Sequence, residues 1–385
     1  MASNTSPQSG HSHFEADVAV IGGGLLGSAI AWGLARERQR VTILDEGDAA
    51  FRPSRGNAAL VWVQGKGLGM PEYAAWTYRS SESWSRFAAL LKEETGIDVG
   101  FQRPGGIDLC LSEAELAACA DGLKRLHNQP HMVNYPHEIL DRTAIEKMLP
   151  QIGPEVVGGS FCPLDGHCNV LRLLRALQAS LARPGVTYLA NHAVERIERQ
   201  GGVFRLMTPH GICEAEKVVL AAGHANARLA PMVGLSVSVR PQRGQIIVTE
   251  RVRPFLHYAM SGIGQTDDGS VLLGTSVEEA GWDDHVTTPV LAAIADRAVR
   301  KLPLLGALRV VRSWAALRVM TTDGFPIYDQ SLSHPGAFSA SCHSGVTLAA
   351  NHALALAPMI AAGNLAADLH VFSARRFDVS QAIPA

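Results

Sequence analysis

Three glycines near the start of the chain have the spacing of a dinucleotide-binding turn. Gly22, Gly24 and Gly27 follow an apolar run and precede a helical pattern, as in a strand–turn–helix unit. Gly22 allows the tight turn, Gly24 lets the backbone approach a pyrophosphate, and Gly27 allows the helix to pack closely on the sheet. The N–H groups at the start of the helix, at Leu25 and Leu26, face phosphate oxygens in such units. The pattern predicts a dinucleotide site; a structural glycine-rich turn is the alternative.

Two acidic residues close the second apolar run of this unit. Asp45 follows the glycine turn at about the 20-residue separation at which a carboxylate accepts hydrogen bonds from an adenosine ribose. Glu46 is the next residue and competes for the same role. We assign the ribose to Asp45 by its position on the strand. The motif alone does not distinguish NAD from FAD.

The bulk composition predicts a globular protein with two or three domain-sized units. The chain has 385 residues, of which 47% are hydrophobic and 18% charged. The formal net charge is −2 and the basic residues form no block, so neither nucleic acid nor an anionic membrane surface is expected as the main partner. No apolar run reaches the length of a transmembrane helix. Residues 1–14 are rich in Ser, Asn, His and Gly and predict a disordered lead rather than a secretory signal.

Six scattered cysteines predict reduced thiols in a cytoplasmic enzyme. Cys162 and Cys168 flank His167, which suggests a metal site at first sight. The second close pair of ligands that a structural zinc site needs is missing. We therefore predict no metal.

The order of the elements predicts an α/β protein with one discontinuous domain. Strands of the buried parallel type occur near both ends and in the middle of the chain, whereas 237–273 has an antiparallel pattern. A Rossmann-like dinucleotide-binding domain with an inserted antiparallel α+β substrate domain accounts for this order. The first domain is assigned to 15–90, 150–225 and 325–385, and the inserted one to 91–149 and 226–324. Predicted helices cover Pro71–Thr95, Val170–Leu181, Thr288–Leu302 and Val346–Ala362.

Several blocks in a fixed order resemble the D-amino-acid oxidase-like family of FAD-dependent oxidoreductases, which includes glycine and sarcosine oxidases. The resemblance covers nearly all of 16–363 and implies that the cofactor is FAD. The blocks are Gly22–Gly27, Ser54–Leu60, Asp165–Val170, Val218–Gly223, Arg240–Gln245, Leu273–Thr275, Trp314–Arg318 with Asp323–Ile327, and Cys342–Thr347.

The resemblance also implies which residues contact FAD. Its second FAD loop corresponds to Ser54, Asn57, Ala58 and Leu60, for which a plain surface loop is the alternative. Val194 matches a position in a family strand whose backbone holds the adenine; an ordinary core valine is the alternative. Gly223 ends a strand that lies beside the dinucleotide in the family. The family segment whose N–H groups face the pyrimidine side of the flavin corresponds to His343, Ser344, Gly345, Val346 and Thr347. A simple helix cap is the alternative there.

Arg318 is the main candidate for substrate binding. It follows an apolar run, where an unpaired buried guanidinium is costly. The resemblance implies that it pairs with the substrate carboxylate, although Val319 stands where the family usually has proline; a structural ion pair is the alternative. His257 and Tyr258 resemble substrate-pocket positions, and His343 is a further candidate beside the flavin. Residues 278–283 are predicted to serve loop structure.

One segment, 56–71, resembles the FAD-carrying B subunits of bacterial opine oxidases or dehydrogenases. Those heteromeric enzymes oxidise N-(carboxyalkyl) amino acids such as octopine and nopaline. The resemblance implies hydride transfer from a secondary amine to flavin N5 without a general base. It also implies a small amino-acid-derived substrate and partner subunits that carry electrons onward. A self-sufficient glycine, sarcosine or D-amino-acid oxidase, a D-amino-acid or hydroxyproline dehydrogenase, and a non-catalytic FAD subunit remain alternatives.

Overall fold

A computed structural model describes residues 12–47 and 52–381, without the side chains of 379–381. Its α-helices are α1 (Leu25–Arg36), α2 (Pro71–Thr95), α3 (Glu113–His127), α4 (Arg142–Met148), α5 (Val170–Ser180), α6 (Asn226–Leu229), α7 (Thr288–Lys301), α8 (Ala349–Asn351) and α9 (Ala357–Ala362). None of the helices in these ranges is long and apolar enough to cross a membrane.

The strands form two large sheets and one small one. Their bounds are β1 (Ser12–Ile21), β2 (Val41–Leu44), β3 (Leu60–Val61), β4 (Gly106–Cys110), β5 (Glu138–Asp141), β6 (Gly158–Cys162), β7 (Gly166–His167), β8 (Val186–Leu189), β9 (Arg196–Gln200), β10 (Val203–Thr208), β11 (Gly211–Leu220), β12 (Val239–Arg251), β13 (Ala259–Met260), β14 (Ile263–Gln265), β15 (Ser270–Gly274), β16 (Val310–Thr321), β17 (Ile327–Gln330) and β18 (Ala337–Ser341).

The first large sheet is mainly parallel and has the strand order β17-β18-β11-β1-β2-β8. The strands from β18 to β8 run parallel, β17 is antiparallel at the edge, and the β9–β10 hairpin extends from β11. Both faces are covered: Val18 and Val20 join the core with α1, α2 and α5, while Ala19 and Ile21 join the opposite core. Burial on both faces explains why β1 and β2 are apolar without alternation.

The second large sheet has the order β16-β12-β15-β14-β13-β4-β6-β5 and is antiparallel except for the β13–β4 pair. Its long strands β12 and β16 lie beside each other, with Gln242 opposite Arg318. The predicted α/β fold, with a parallel sheet and a separate antiparallel sheet, is confirmed. This arrangement places the carboxyl ends of the parallel strands opposite β12 and β16.

Two boundaries differ from those expected. Residues 12–14, assigned to a disordered lead, already belong to β1 and pair with 211–213, while residues 1–11 lie outside the described ranges. Strand β6, assigned to the dinucleotide domain through the segment 150–225, pairs with β4 and β5 in the second sheet. A Cβ at Gly158 or Gly159 would overlap a neighbouring strand carbonyl, so this strand needs glycines, which are weak strand signals in a sequence.

The long C-terminal helix predicted over 346–362 is interrupted. It starts as α8, widens into a π-helical segment over His352–Leu356, and resumes as α9. Pro358 lies at the start of α9 and has no N–H to donate to the preceding turn, which favours the wider turn at this point. The interruption brings the carbonyl of Ala353 against Gly33 of α1, where a Cβ would not fit.

His352 lies in the π-helical segment with its side chain fully buried. Its Nε2 is 2.7 Å from the hydroxyl of Tyr328, and the indole N–H of Trp76 donates to the same hydroxyl at 3.2 Å. Burial lowers the pKa of His352 to about 3. The folded protein therefore holds this imidazole neutral at pH values where an exposed histidine takes up a proton.

We expect His352 to make the protein sensitive to acid. As the pH falls from about 6.5 towards 3, His352 binds a proton in the unfolded chain but stays neutral in the folded chain. The free energy of unfolding therefore falls by up to about 1.4 kcal/mol per pH unit. Urea unfolding at several pH values should show a smaller pH slope for His352→Leu than for the parent. His210→Gln, at an exposed position, is the control. An unchanged slope in His352→Leu would contradict the assignment.

Candidate active site

A cavity of about 760 Å³ opens between the two large sheets. Ile21, Leu44, Ala221 and Ser341 line it at or just beyond the carboxyl ends of β1, β2, β11 and β18. The second sheet contributes the facing wall through β12 and β16. Crevices at the carboxyl ends of parallel strands are where open α/β sheets bind their ligands. The volume lies within the range of roughly 300–1,000 Å³ that is usual for cofactor sites.

The glycine turn is built as the spacing predicts. Gly22 has φ +104°, and a Cβ there would lie 2.5 Å from the carbonyl oxygen of Ala221. A Cβ on Gly27 would overlap the carbonyl oxygen of Gly22, so helix α1 approaches β1 only because both residues lack side chains. The backbone N–H of Leu25 donates to Oγ of Ser54 at 2.9 Å, which joins the turn to the predicted second loop.

Asp45 is buried against the glycine turn, whereas Glu46 is largely exposed. The N–H of Gly23 donates to Oδ2 of Asp45 at 2.7 Å, and Gly47 N–H donates to Oδ1 at 3.0 Å. Arg52 contacts both acids, with its Nη1 3.2 Å from Asp45 Oδ2 and its Nη2 3.0 Å from Glu46. Both carboxylates line the cavity, but only Asp45 is held in place by the turn.

The cavity brings together residues that lie far apart in the sequence. Gly27 packs behind the turn and does not line the wall, and Val194 lies in the stretch before β9 rather than in a strand. Apart from Gly27, all the predicted cofactor residues line the cavity. They are Gly22, Gly24, Leu25, Leu26, Asp45, Glu46, Ser54, Asn57, Ala58, Leu60, Val194, Gly223, His343, Ser344, Gly345, Val346 and Thr347.

Thr347 holds two of these segments together. Its Oγ1 accepts a hydrogen bond from the N–H of Trp62 at 3.1 Å and donates to the carbonyl of Leu60 at 3.2 Å. Its own carbonyl accepts from Ser80 Oγ at 2.7 Å and from the indole N–H of Trp84 at 3.1 Å. The segment 343–347 is therefore fixed against the second loop and helix α2, although helix α8 begins only at residue 349.

His343 lies among polar side chains at the cavity wall. Burial lowers the pKa of His343 to about 3, and the positive charges of Lys66 and Arg318 act in the same direction. Its Nε2 is 3.1 Å from Oγ of Ser344. The imidazole is therefore neutral at physiological pH and is suited to hydrogen bonding rather than to binding an anion.

Arg318 projects from β16 into the cavity. Its Nη1 donates to the carbonyl of Arg243 at 3.1 Å, and its Nη2 donates to Thr275 Oγ1 at 2.6 Å and to the carbonyl of Ser276 at 2.8 Å. A Cβ on Gly244 would lie about 2.5 Å from this guanidinium, so the glycine makes room for it. Burial lowers the pKa of Arg318, with Glu278 opposing the shift. Within the described ranges no carboxylate pairs with Arg318, which leaves a fixed cation facing the cavity.

The loop that orients Arg318 is fastened to β12 by charged contacts. Arg243 is buried, and its Nη2 lies 2.7 Å from Glu278 and its Nη1 2.5 Å from Asp283. The predicted structural role of the acids in 278–283 agrees with these contacts. Trp282 of the same loop differs from that expectation because it lines the cavity, with its ring centroid 5.0 Å from that of His224.

His257 and Tyr258 are not brought to the cavity. His257 is exposed, and Tyr258 packs on the core of the second sheet with its ring centroid 6.2 Å from that of Phe161. Neither is among the residues that line the cavity wall. The reason is that both residues precede the short strand β13, whose pairing with β4 fixes this stretch in the second sheet, away from the cavity.

A family model described as FAD dependent oxidoreductase (DAO) matches residues 17–359. The chain belongs to this family. The predicted family and the predicted cofactor, FAD, are therefore confirmed. The site suits this cofactor: the strand order places Asp45 after β2 and His343 after β18, on opposite sides of the glycine turn that follows β1. A dinucleotide binds across the carboxyl ends of the strands of such a sheet.

Curated relatives of this flavoenzyme include polypeptides of multi-chain enzymes. The chain is 46% identical to a protein named as the B subunit of opine oxidase from Agrobacterium tumefaciens (strain Ach5), and the match covers 96% of this chain and 100% of that protein. It is 44% identical to the opine oxidase B subunit of Rhizobium meliloti, over 96% of this chain and 100% of the relative. Among solved structures, glycine oxidase from Geobacillus kaustophilus matches with a TM-score of 0.86 and 27% identity, covering 94% of this chain and 98% of that one.

Several side chains of the flavoenzyme's cavity were not predicted from the sequence. They are Arg52, Lys66, His224 and Trp282. His224 Nε2 lies 3.2 Å from the carbonyl of Arg318, and burial lowers the pKa of this imidazole. Of these four residues, only Lys66 could have been suspected from the sequence, because a lysine between two glycines indicates a turn that presents a charged side chain. The others depend on how separate loops fold over the cavity.

Proposed function

We propose that this flavoenzyme oxidises the secondary amine of an opine, an amino acid whose nitrogen carries a carboxyalkyl group. The observation that carries the proposal is Arg318, a fixed cation without a carboxylate partner in the described ranges, facing the cavity opposite the strand ends. Such a guanidinium suits a substrate carboxylate. The identity to proteins named as B subunits of opine oxidase supports the opine class.

The proposed reaction removes one hydrogen from the α-carbon with its electron pair and one proton from the nitrogen. FAD, when bound, supplies the hydride acceptor at flavin N5. The C–H bond breaks, a C=N bond forms, and water then adds to the imine to release an amino acid and a 2-oxo acid. In this scheme Arg318 holds the carboxylate so that the α-carbon is oriented. Neutral His343 lines the same cavity and offers a hydrogen bond without attracting a second anion.

The cofactor contacts proposed here follow from the cavity wall. Asp45 would bind the ribose, the first turn of α1 the pyrophosphate, and the segment 343–347 the flavin. The burial of Asp45 against the turn supports it over Glu46 as the ribose ligand, because a fixed carboxylate loses less freedom on binding.

We expect Asp45→Ala to weaken FAD binding by at least tenfold, because a charge-assisted hydrogen bond to the ribose is worth roughly 1.5–3 kcal/mol. Glu46→Ala is the matched control and should change the FAD dissociation constant by less than threefold. Fluorescence titration of the apoprotein with FAD measures both constants. The opposite ranking of the two variants would transfer the ribose role to Glu46.

We further propose that the chain works in the cytoplasm as the catalytic subunit of a heteromeric complex. The naming of its relatives as subunits supports a multi-chain enzyme. The six cysteines, which are free thiols, support a reducing compartment. Affinity purification of the tagged chain from its source, followed by mass spectrometry, tests whether other polypeptides are present in fixed proportion.

Anaerobic reduction of the bound flavin tests the reaction itself. Octopine and nopaline should bleach the flavin absorbance faster than sarcosine, glycine, hydroxyproline or D-amino acids at equal concentration. Bleaching by D-amino acids or sarcosine alone would refute the opine assignment. Peroxide release by the isolated chain in air would favour a self-sufficient oxidase. A chain that binds FAD yet is reduced by none of these amines would be a non-catalytic subunit.

A further inference from the structure

Lys66 is a further cation in the wall of the same cavity. Lys66 Nζ contacts two hydroxyl groups, at 2.6 Å from Ser344 Oγ and 3.3 Å from Tyr73 OH. The two hydroxyl oxygens are themselves 2.9 Å apart. Within the described ranges no carboxylate forms an ion pair with Lys66. Its side chain is partly buried and forms part of the cavity wall.

The loop that carries Lys66 is fixed at both ends. Before it, the backbone N–H of Val63 and the amide of Gln64 donate to the buried carboxylate of Asp165. After it, the side-chain amide of Gln129 donates to the carbonyl of Gly67 at 3.0 Å and accepts from the N–H of Gly69. The lysine is therefore presented by a rigid turn rather than by a loose surface loop.

Asp165 forms no ion pair with this lysine, because its carboxylate oxygens accept from other groups. Its Oδ1 accepts from the N–H groups of Val63 and Gln64, and its Oδ2 accepts from the Gln64 side chain at 2.7 Å. Burial raises the pKa of Asp165 to about 7, against the influence of those donors and of Lys66. Lys66 therefore has no contacting carboxylate in the described ranges, and an anionic group of a ligand in the cavity can supply one.

Lys66 and Arg318 line the same cavity as His343. Both cations lower the pKa of that imidazole, so both are within electrostatic reach of it. Arg318 belongs to β16 of the second sheet, whereas Lys66 belongs to the loop after β3 and contacts the 343–347 segment. Arg318 and Lys66 both lack a contacting carboxylate in the described ranges, and a ligand with two separated anionic groups supplies one to each.

We propose that Lys66 binds a second carboxylate of the substrate, so that the site selects amines flanked by two carboxylates over amines with one. The proposal rests on the function proposed above, in which Arg318 binds the first carboxylate. It explains how the cavity would discriminate an N-(carboxyalkyl) amino acid from sarcosine or glycine, which a contact with Arg318 alone would not do. A monocarboxylate leaves Lys66 with its hydroxyl contacts but without a carboxylate partner, so it lacks one charge-assisted contact that a dicarboxylate makes.

A pair of unreactive probes tests the inference by binding alone. Glutarate has the length of a dicarboxylate amine with carbon in place of nitrogen, and butyrate is its monocarboxylate counterpart. Titrations of the FAD-loaded protein, followed by flavin absorbance and by the fluorescence of cavity tryptophans such as Trp62 and Trp282, give both dissociation constants. We expect the parent to bind glutarate at least tenfold more tightly than butyrate.

Lys66→Met should abolish this preference, because it keeps the length of the side chain and removes only the charge. Lys66→Arg should retain most of it, and Arg318→Met should weaken both probes. In flavin reduction, Lys66→Met should lower kcat/KM for octopine at least tenfold and change that for any monocarboxylate amine by less than threefold.

The outcomes separate the two proposals. If Lys66→Met keeps the preference for glutarate, or loses both probes equally, the second carboxylate site is wrong. A lower flavin midpoint potential in Lys66→Met with an unchanged glutarate preference would mean that the Lys66 ammonium acts on the flavin instead of on a substrate carboxylate, and it would overturn the inference. If the preference depends on Lys66 but no opine reduces the flavin, the dicarboxylate site stands and the proposed opine reaction fails.

Discussion

Arg318→Met is expected to lower kcat/KM for the substrate by about 10- to 150-fold. The guanidinium faces the cavity with its geometry fixed by Arg243, Thr275 and Ser276. A charge-assisted contact to a carboxylate contributes roughly 1.5–3 kcal/mol, and each 1.4 kcal/mol corresponds to about a tenfold change in rate. Stopped-flow reduction of the flavin over a range of substrate concentrations measures the loss.

Two comparisons make this result specific. Arg318→Lys keeps a charge but loses the planar fork that contacts the loop and the carboxylate together, so an intermediate loss is expected. Arg251→Met, on β12 of the same sheet with a side chain that is 74% exposed, should leave kcat/KM unchanged. The FAD content should stay the same in all three proteins. A decrease below threefold in Arg318→Met would mean that the guanidinium only fastens the loop.

Gly22→Ala is expected to abolish stable FAD binding and to destabilise the fold by about 2–5 kcal/mol. The residue has φ +104°, and the new methyl group would lie 2.5 Å from the carbonyl oxygen of Ala221, at the centre of the cofactor turn. The backbone must move to relieve this contact, which displaces the start of α1 from the position proposed for the phosphates. The ratio of flavin to protein after gel filtration and the urea unfolding curve report the two effects.

Gly202→Ala separates the two causes. This glycine also has a positive φ, +90°, but a Cβ there has nothing within 4 Å, and it lies in the exposed β9–β10 turn. Its substitution should cost only the conformational strain, about 1–2 kcal/mol, and leave FAD binding intact. Equal losses in Gly22→Ala and Gly202→Ala would show that backbone conformation, rather than the close approach to Ala221, is what the turn requires.

The parts of the molecule that follow from local rules could be read in the sequence. Gly22 and Gly27 could be identified because the tight turn and the close contact of helix α1 with it both require residues without a side chain at a fixed short spacing. Helix α2 has the bounds predicted for it, 71–95, because its apolar period, Pro71 and Gly96 are all local signals. By contrast, β6 was placed within the dinucleotide-binding domain but pairs with β4 and β5 of the second sheet; its glycines allow neighbouring strands to approach and give no alternating pattern.

The identity of the remaining cavity residues required the folded chain. Lys66 meets Ser344 across 278 positions of sequence, and Trp282 reaches His224 only because Arg243 fastens its loop. His257 and Tyr258 were expected at the substrate and lie elsewhere because β13 pairs with β4. The sequence by itself identified the flavoenzyme family, and it indicated the glycine turn and Arg318 as candidates, which the structure places at one cavity. Tertiary structure alone decided which distant charges share the cavity, because strand register and loop fastening, rather than local propensity, bring those side chains together.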